Sequence, residues 1–540
     1  MSAAVAVPAA ARPARAAARP VVLARLAAAA VVALAAALRL TAIGATPIDP
    51  FYAGAVRSMG LSWHNLLVGA YDPAARLAID KAPVDLWLQV ASTRLLGFTP
   101  TAMLLPSALA GTVAVAALYD LLHTLAGRRA ALAGALALAV LPIAVLTSRS
   151  DTMDSVMAAL VLVAWAVAAR GLRGGRTGHL VAAGALLGLA FEVKLFEALL
   201  PALPVAVLWF AGAPGTRAQR VRALVAAAGA CAVVGLAWLL AVSVLVPAGQ
   251  RPWAFGSTDG SPWNSVFLYD GWDRLAGTAR AHAAGGRAHL PAGPGPLRLL
   301  SSQVHLGARL GFALVVAWLA LAGAIAVGGW ARLDRAGRAG LAALALWLAL
   351  GTVLFSLQRD LRPRYLEALD PAVAACAGLC LALCATVLCE RYGGRAMRAG
   401  AVALACALAV FPTVVSARLI AAHAQDSGTP GALAPARLTA LSAYLRARQG
   451  AAPNEAAFFP VAEAGAVIAR DARPVVMLTA LGHPLVSTAR LRRLVATEQV
   501  RTVVLGRARG PLATWVRAHA ADVSAAAGQR AGSVFAFRRP

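Results

Sequence analysis

Apolar runs long enough to cross a bilayer recur along the whole chain, and they decide which solvent most of it folds in. They lie near 21–43, 102–124, 129–147, 153–170, 178–192, 195–212, 221–247, 305–329, 338–357, 366–389 and 397–420. This predicts about eleven spans of ~20 residues each. With 60% of the 540 residues hydrophobic and 14% charged, a water-soluble fold has no way to cover so much apolar surface. A formal net charge of +27 would ordinarily point to nucleic acid. Here the basic residues sit in short loops instead. Arg12, Arg15 and Arg19 precede the first run, and Arg128–Arg129, Arg170–Arg176, Arg217–Arg222, Arg332–Arg338 and Arg391–Arg398 occupy every second connection. Arginine is retained on the cytoplasmic side, so the charge reads as topology and no nucleic-acid partner is expected.

The expected arrangement is a multi-pass plasma-membrane protein whose N-terminus, a basic tail at 1–20, is cytoplasmic. The apolar run after that tail is long enough to span, and no cleavage site separates the two, so no removable signal peptide is read. The opposite, extracytoplasmic side holds two long loops, 44–101 and 248–304, and a C-terminal segment, 421–540. In the first loop Asp49, Asp72, Asp80 and Asp85 balance Arg57, Arg76, Lys81 and Arg94, and stretches 51–68 and 84–97 read as amphipathic helices on the membrane surface. The C-terminal segment alternates helix-like and strand-like runs (438–448, 475–478, 491–498, 500–505, 534–538) and predicts a small α/β domain. The fold class is therefore mainly α, a helix bundle at 21–420 with an extracytoplasmic α/β appendage. All six cysteines fall in apolar runs, so no structural disulfide is implied. Cys376, Cys380 and Cys384 share a helix face with no His or Asp, which reads as small-residue packing and not as a metal site. No phosphate-binding glycine loop occurs.

Among 50 basic residues only two are lysine, Lys81 and Lys194. A compact ammonium differs from a flat guanidinium fork, so these two positions read as sites that need the ammonium. Both stand beside acids: Asp80 precedes Lys81, and Glu192 and Glu197 bracket Lys194. A polar cavity or a structural salt bridge would each account for the second cluster. Asp49 opens the first long loop in Ile48-Asp49-Pro50-Phe51-Tyr52; an acid at the mouth of a membrane helix is a functional candidate, with a solvated acid or helix cap as the alternative. Asp151 and Asp154 share a helix face. Asp151 reads as the helix N-cap, whereas Asp154 lies a turn deeper, where a carboxylate needs a reason. Asp80 receives a lesser role, because adjacent side chains usually point apart.

Several segments then resemble one family. Asp49-Pro50-Phe51-Tyr52, Ser62-Trp63-His64-Asn65, Ile79-Asp80-Lys81-Ala82-Pro83 and Leu86-Trp87-Leu88-Gln89 resemble the first external loop of the GT-C glycosyltransferase superfamily, in the branch of aminoarabinose transferases and protein O-mannosyltransferases. Asp154 matches that family's second acid, and Phe191–Lys194 its Phe-x-x-Lys turn. Residues 251–271 and 473–475 are similar to a bacterial mannosyltransferase-like subgroup, and 362–371 loosely resembles a later turn. Ala82 departs from the family's Lys-Pro-Pro, and Glu197 stands where glutamine is usual.

The resemblance implies a GT-C-type bundle and an inverting transfer of a sugar from a polyprenyl-phosphate donor to an extracytoplasmic glycan, lipid or protein acceptor. It requires no nucleotide and leaves a divalent metal open. Asp49 and Asp154 become the catalytic candidates, with Asp49 as the base. Lys81 and Lys194 become the donor-phosphate ligands, and Asp80, Tyr52 and Asp151 supporting residues. A transporter or flippase of lipid-linked sugars, or an inactive scaffold, would share the many helices and buried charges.

Overall fold

A computed structural model describes residues 14–276, 293–300, 310–359, 361–426 and 433–538. Residues 1–13 of the basic tail, with Arg12, and segments 277–292 and 301–309 of the second long loop lie outside the described residues. Eight described helices are long and apolar enough to cross a membrane, among them Pro100–Ala126, Asp154–Leu172 and Asp370–Tyr392. Other expected spans are shorter or interrupted. The run at 129–147 divides into Arg128–Val140 and Pro142–Thr147, because proline at 142 has no N–H to continue the ladder. The run at 195–212 opens as the 3-10 turn Leu195–Leu199 and leaves only Ala202–Gly212 as α-helix. Within 305–329 the described helix is Phe312–Ala326.

Helices pack closely where side chains are small, since lipid supplies no hydrophobic force between them. Thr177–Lys194 lies against Arg217–Gly235 through Gly184 and Gly188. A Cβ on Gly184 would stand 2.1 Å from the Ala227 carbonyl oxygen, and one on Gly188 would stand 2.4 Å from that of Cys231.

The first long loop folds into helices Pro50–Met59, Trp63–Val68 and Val84–Leu96. Between them the Asp72 carboxylate accepts from the N–H groups of Arg76 (3.0 Å) and Leu77 (2.8 Å) and closes a turn. The next residues, Leu77–Ala78, form a short strand paired in parallel with Trp253–Ala254, so the two long loops are stitched together. Pro50–Met59 is not the surface-lying amphipathic helix expected: all of its residues but Pro50 and Arg57 are buried. Its outer face is covered by the C-terminal helix Val461–Asp471.

That C-terminal part carries a five-stranded sheet in the order Val476–Met477, Ala457–Phe458, Thr502–Val504, Val534–Ala536, Ala521–Asp522. The first three strands run parallel and the last two pair antiparallel. Helix Pro435–Gln449 precedes the sheet, and Val461–Asp471, Thr488–Ala496 and Pro511–His519 lie between its strands.

Gly188→Leu should lower the thermal midpoint in detergent, as expected for an overpacking penalty of about 1–3 kcal/mol. Gly229→Leu, where an added Cβ meets nothing within 4 Å, should leave the midpoint unchanged.

Candidate functional site

The helix Pro50–Met59 begins at Asp49. Proline at its first position presets φ, and the Asp49 carboxylate caps the turn by accepting the Phe51 N–H at 2.7 Å. Asp49 is fully buried. Its own N–H donates to the Asp151 carboxyl at 2.7 Å. Asp151 is thus not the cap of Asp154–Leu172, whose N-cap position is held by Met153 without a side-chain bond. It reaches instead across the site to the Asp49 loop. A short chain supports it: the Gln89 amide donates to the Asp151 carbonyl (3.2 Å) and to the Asp85 carboxyl (2.7 Å). Burial, with the Asp49 charge beside it, pushes the Asp151 carboxyl well above the usual range.

Two ion clusters flank this loop. In the first, Lys81 meets Asp80 at 2.5 Å and Asp270 at 3.9 Å. The expectation that Asp80 and Lys81 point apart is corrected: the long lysine stem folds back onto its neighbour. The stretch is pinned from the second loop, where the Ser265 hydroxyl donates to the Asp80 carbonyl at 2.8 Å. Arg274 pairs with Asp270 one helical turn away, lies 3.7 Å from Asp80, and donates to the Tyr365 hydroxyl at 2.7 Å. Burial alone would raise the Asp80 pKa, but Lys81 and Arg274 outweigh it and hold the carboxyl below its usual range. Burial would likewise lower Lys81, but Asp80 and Asp270 keep its ammonium strongly protonated. Asp270 is pushed up to about 6, chiefly by burial, with Arg274 opposing.

In the second cluster Lys194, the last residue of its helix, pairs with Asp154 and with Glu197 at 3.0 Å. The chain turns between them at Leu195, whose φ of 52° is a left-handed conformation that a branched residue adopts only when its surroundings force it. The Lys194 ammonium lies 4.8 Å over the Tyr365 ring. Tyr365 therefore touches both clusters, with its hydroxyl on Arg274 and its face under Lys194. Tyr52 is buried among these charges, near Lys81, Asp80, Arg364 and Asp49, and burial raises its hydroxyl to about 12.

The sequence-derived candidates fall into one connected region: Asp49 with Asp151, Asp80 with Lys81, Asp154 with Lys194, and Tyr52 among them. Asp270, Arg274 and Tyr365 complete the clusters and were not singled out as chemical groups. The Asp270–Arg274 spacing of four is the one signal that could have marked the pair. Among the described residues no three His, Cys, Asp or Glu converge as a metal cage. Several cations held in low-dielectric surroundings, each already paired, make a region that can accept a phosphate by exchanging carboxylate partners for it.

Residues 80–243, which hold Asp80, Lys81, Asp154 and Lys194, match the family model described as dolichyl-phosphate-mannose-protein mannosyltransferase. YkcB and YycA of Bacillus subtilis, both provisionally described as mannosyltransferases, are each 32% identical to the chain, over 231 and 238 residues. The matches cover 43% and 44% of this chain but only 32% and 34% of those relatives, about a third of their length. ArnT from Cupriavidus metallidurans, solved bound to undecaprenyl phosphate, superposes with a TM-score of 0.57 at 16% identity over 94% of this chain and 97% of its own. The archaeal oligosaccharyltransferase AglB from Archaeoglobus fulgidus, solved with an inhibitory peptide and a dolichol-phosphate, gives 0.53 at 13% identity over 89% and 69%.

Asp85 carries a pH signature. Burial raises its carboxyl to about 7 from 3.8. The folded state therefore keeps a proton that the unfolded state has lost, and stability falls as pH rises from about 4 to about 7 and is level above that. Asp85→Asn should remove a penalty of up to about 4 kcal/mol above pH 7 and change nothing below pH 4. Denaturation midpoints in detergent across that range check this. The chain thus has the fold of ArnT and AglB, and its segment 80–243 matches the model of the dolichyl-phosphate-mannose-protein mannosyltransferase family.

Proposed function

We propose that the protein is a membrane glycosyltransferase that moves a sugar from a polyprenyl-phosphate donor to an acceptor on the extracytoplasmic side. The observation that carries this reading is the convergence of Arg274 and Lys194 on Tyr365, with Lys81 joined to Arg274 through Asp80 and Asp270, beside the loop that Asp49 caps. Two proteins of the same fold, ArnT and AglB, were solved with a polyprenyl phosphate bound, which supports a lipid-linked donor here. The match of 80–243 to a mannosyltransferase family supports a hexose as the sugar.

In this reading the donor phosphate enters between the clusters and takes Lys81, Lys194 and Arg274 partly away from their carboxylates. The acceptor's nucleophilic oxygen or nitrogen attacks the anomeric carbon on the face opposite the phosphate, and Asp49 takes its proton. The anomeric C–O bond breaks, and its electron pair leaves on the phosphate oxygen. The diester becomes a monoester with one more negative charge, and the cations stabilise that charge as it develops. Asp154 holds Lys194, and Asp80 holds Lys81. Asp151 fixes the base loop by accepting the Asp49 N–H, and Tyr52 fills the space between base and cations. One displacement inverts the anomeric centre.

Purified protein should release undecaprenyl phosphate from undecaprenyl-phosphate-mannose when supplied with a cell-envelope extract as acceptor. Asp49→Asn should lower that rate by about 10²–10⁴-fold, the usual range for removing a positioned base. Equal rates in the two proteins would remove Asp49 as the base. Movement of the labelled lipid between leaflets without transfer, in both proteins, would identify a transporter instead.

A further inference from the structure

The helix that begins at Asp49 is held from two sides, and only one of them belongs to the membrane bundle. On the bundle side, Asp151 accepts the Asp49 N–H. On the other side lies the C-terminal helix Val461–Asp471, some 400 residues away in sequence. The two helices cross at glycines. A Cβ on Gly465 would stand 2.1 Å from the carbonyl oxygen of Pro50, the residue that follows Asp49, and one on Gly54 would stand 2.7 Å from the Gly465 Cα. The backbones are in direct contact, with no room for any side chain.

A second tie ends on the same turn. Tyr71 is fully buried, and its hydroxyl donates to the Val461 carbonyl at 2.5 Å. Its ring stacks on Phe51 at 4.9 Å, and the Phe51 N–H is the group held by the Asp49 carboxylate. Its backbone carbonyl accepts from the Ser58 hydroxyl at 2.8 Å, which binds it to the far end of the same helix. Other contacts of the C-terminal part reach other places, among them Asn454, which accepts from Arg76 at 3.1 Å, and His483, which stacks on Trp253 at 4.3 Å. They anchor the same part of the chain but do not touch the turn of Asp49.

We propose that the helix Val461–Asp471 is a structural part of the catalytic site, with Gly465 and Tyr71 as positioning residues that set where Asp49 stands. This rests on Asp49 being the base. The physical reason is tolerance: a reacting group displaced by ~1 Å can lose ~10²-fold in rate. A side chain forced between Gly465 and Pro50 has to move one helix by more than that.

The test uses the full chain with undecaprenyl-phosphate-mannose as probe. Gly465→Val should lower kcat at least tenfold while KM for the probe changes less than threefold, because the cations that hold phosphate are not displaced. Tyr71→Phe, which keeps the ring stack and loses the hydroxyl bond, should lower kcat to a smaller extent. His483→Ala, which loosens the C-terminal part elsewhere, should leave kcat within twofold. Hydrogen exchange gives a readout that does not need turnover: Gly465→Val should lose protection at the Phe51 amide, and His483→Ala should not. Unchanged kcat and unchanged Phe51 protection in Gly465→Val would overturn the proposal, as would equal losses in His483→Ala. If Gly465→Val does not fold, Tyr71→Phe with the same two readouts decides. Loss of Phe51 protection in a protein without any transfer activity would retain the helix contact and reject the enzymatic reading instead.

Discussion

An ammonium taken out of water must bring its counter-charge with it, and much of this site follows from meeting that requirement twice. Lys81 and Lys194 are both buried. Lys81 is neutralised by Asp80 and Asp270, Lys194 by Asp154 and Glu197. Satisfying Lys81 requires the second long loop to fold over the first, because Asp270 lies on one and Lys81 on the other. The strand pair Leu77–Ala78 with Trp253–Ala254 and the Ser265 bond to the Asp80 carbonyl achieve that closure. Satisfying Lys194 requires its helix to end beside the start of Asp154–Leu172 and to turn sharply at Leu195. Tyr365 then joins the two clusters through its hydroxyl and its ring face.

The parts legible from sequence were those in which a charge stands against an apolar background. Asp154 and Asp49 were visible for that reason, whereas Lys81 and Lys194 stood out as the two lysines among 50 basic residues, and the long helices by their apolar length. Arg274 was not visible, because one more arginine in so basic a chain carries no signal and its loop has no periodicity to place it. Asp151 was misjudged. Its position before a helix invites the reading of a cap, yet its carboxyl serves a backbone N–H on the first loop, a partner that only the tertiary fold supplies. Pro142 shows the reverse case: the break it makes in 129–147 follows from local chemistry and was available in the residues themselves.

The helix Val461–Asp471 was the largest omission. It is short and rich in alanine, and the strand before it, Ala457–Phe458, is too brief to announce itself. Its weight comes from Gly465, whose missing side chain matters only because Pro50 and Gly54 approach it. The same logic operates inside the bundle at Gly184 and Gly188, where two adjacent helices meet. In both places a residue without chemistry decides how closely groups that have chemistry are held.

In the proposed mechanism the cations gathered at Tyr365 hold the phosphate of a lipid-linked sugar donor. The most direct measurement is equilibrium binding of undecaprenyl phosphate to the purified, folded protein, compared with Lys194→Gln and Arg274→Gln. Binding should be saturable and should weaken at least tenfold in each variant, about 1.4 kcal/mol or more of lost affinity. Binding that is equally tight in all three proteins would place the phosphate elsewhere and contradict it.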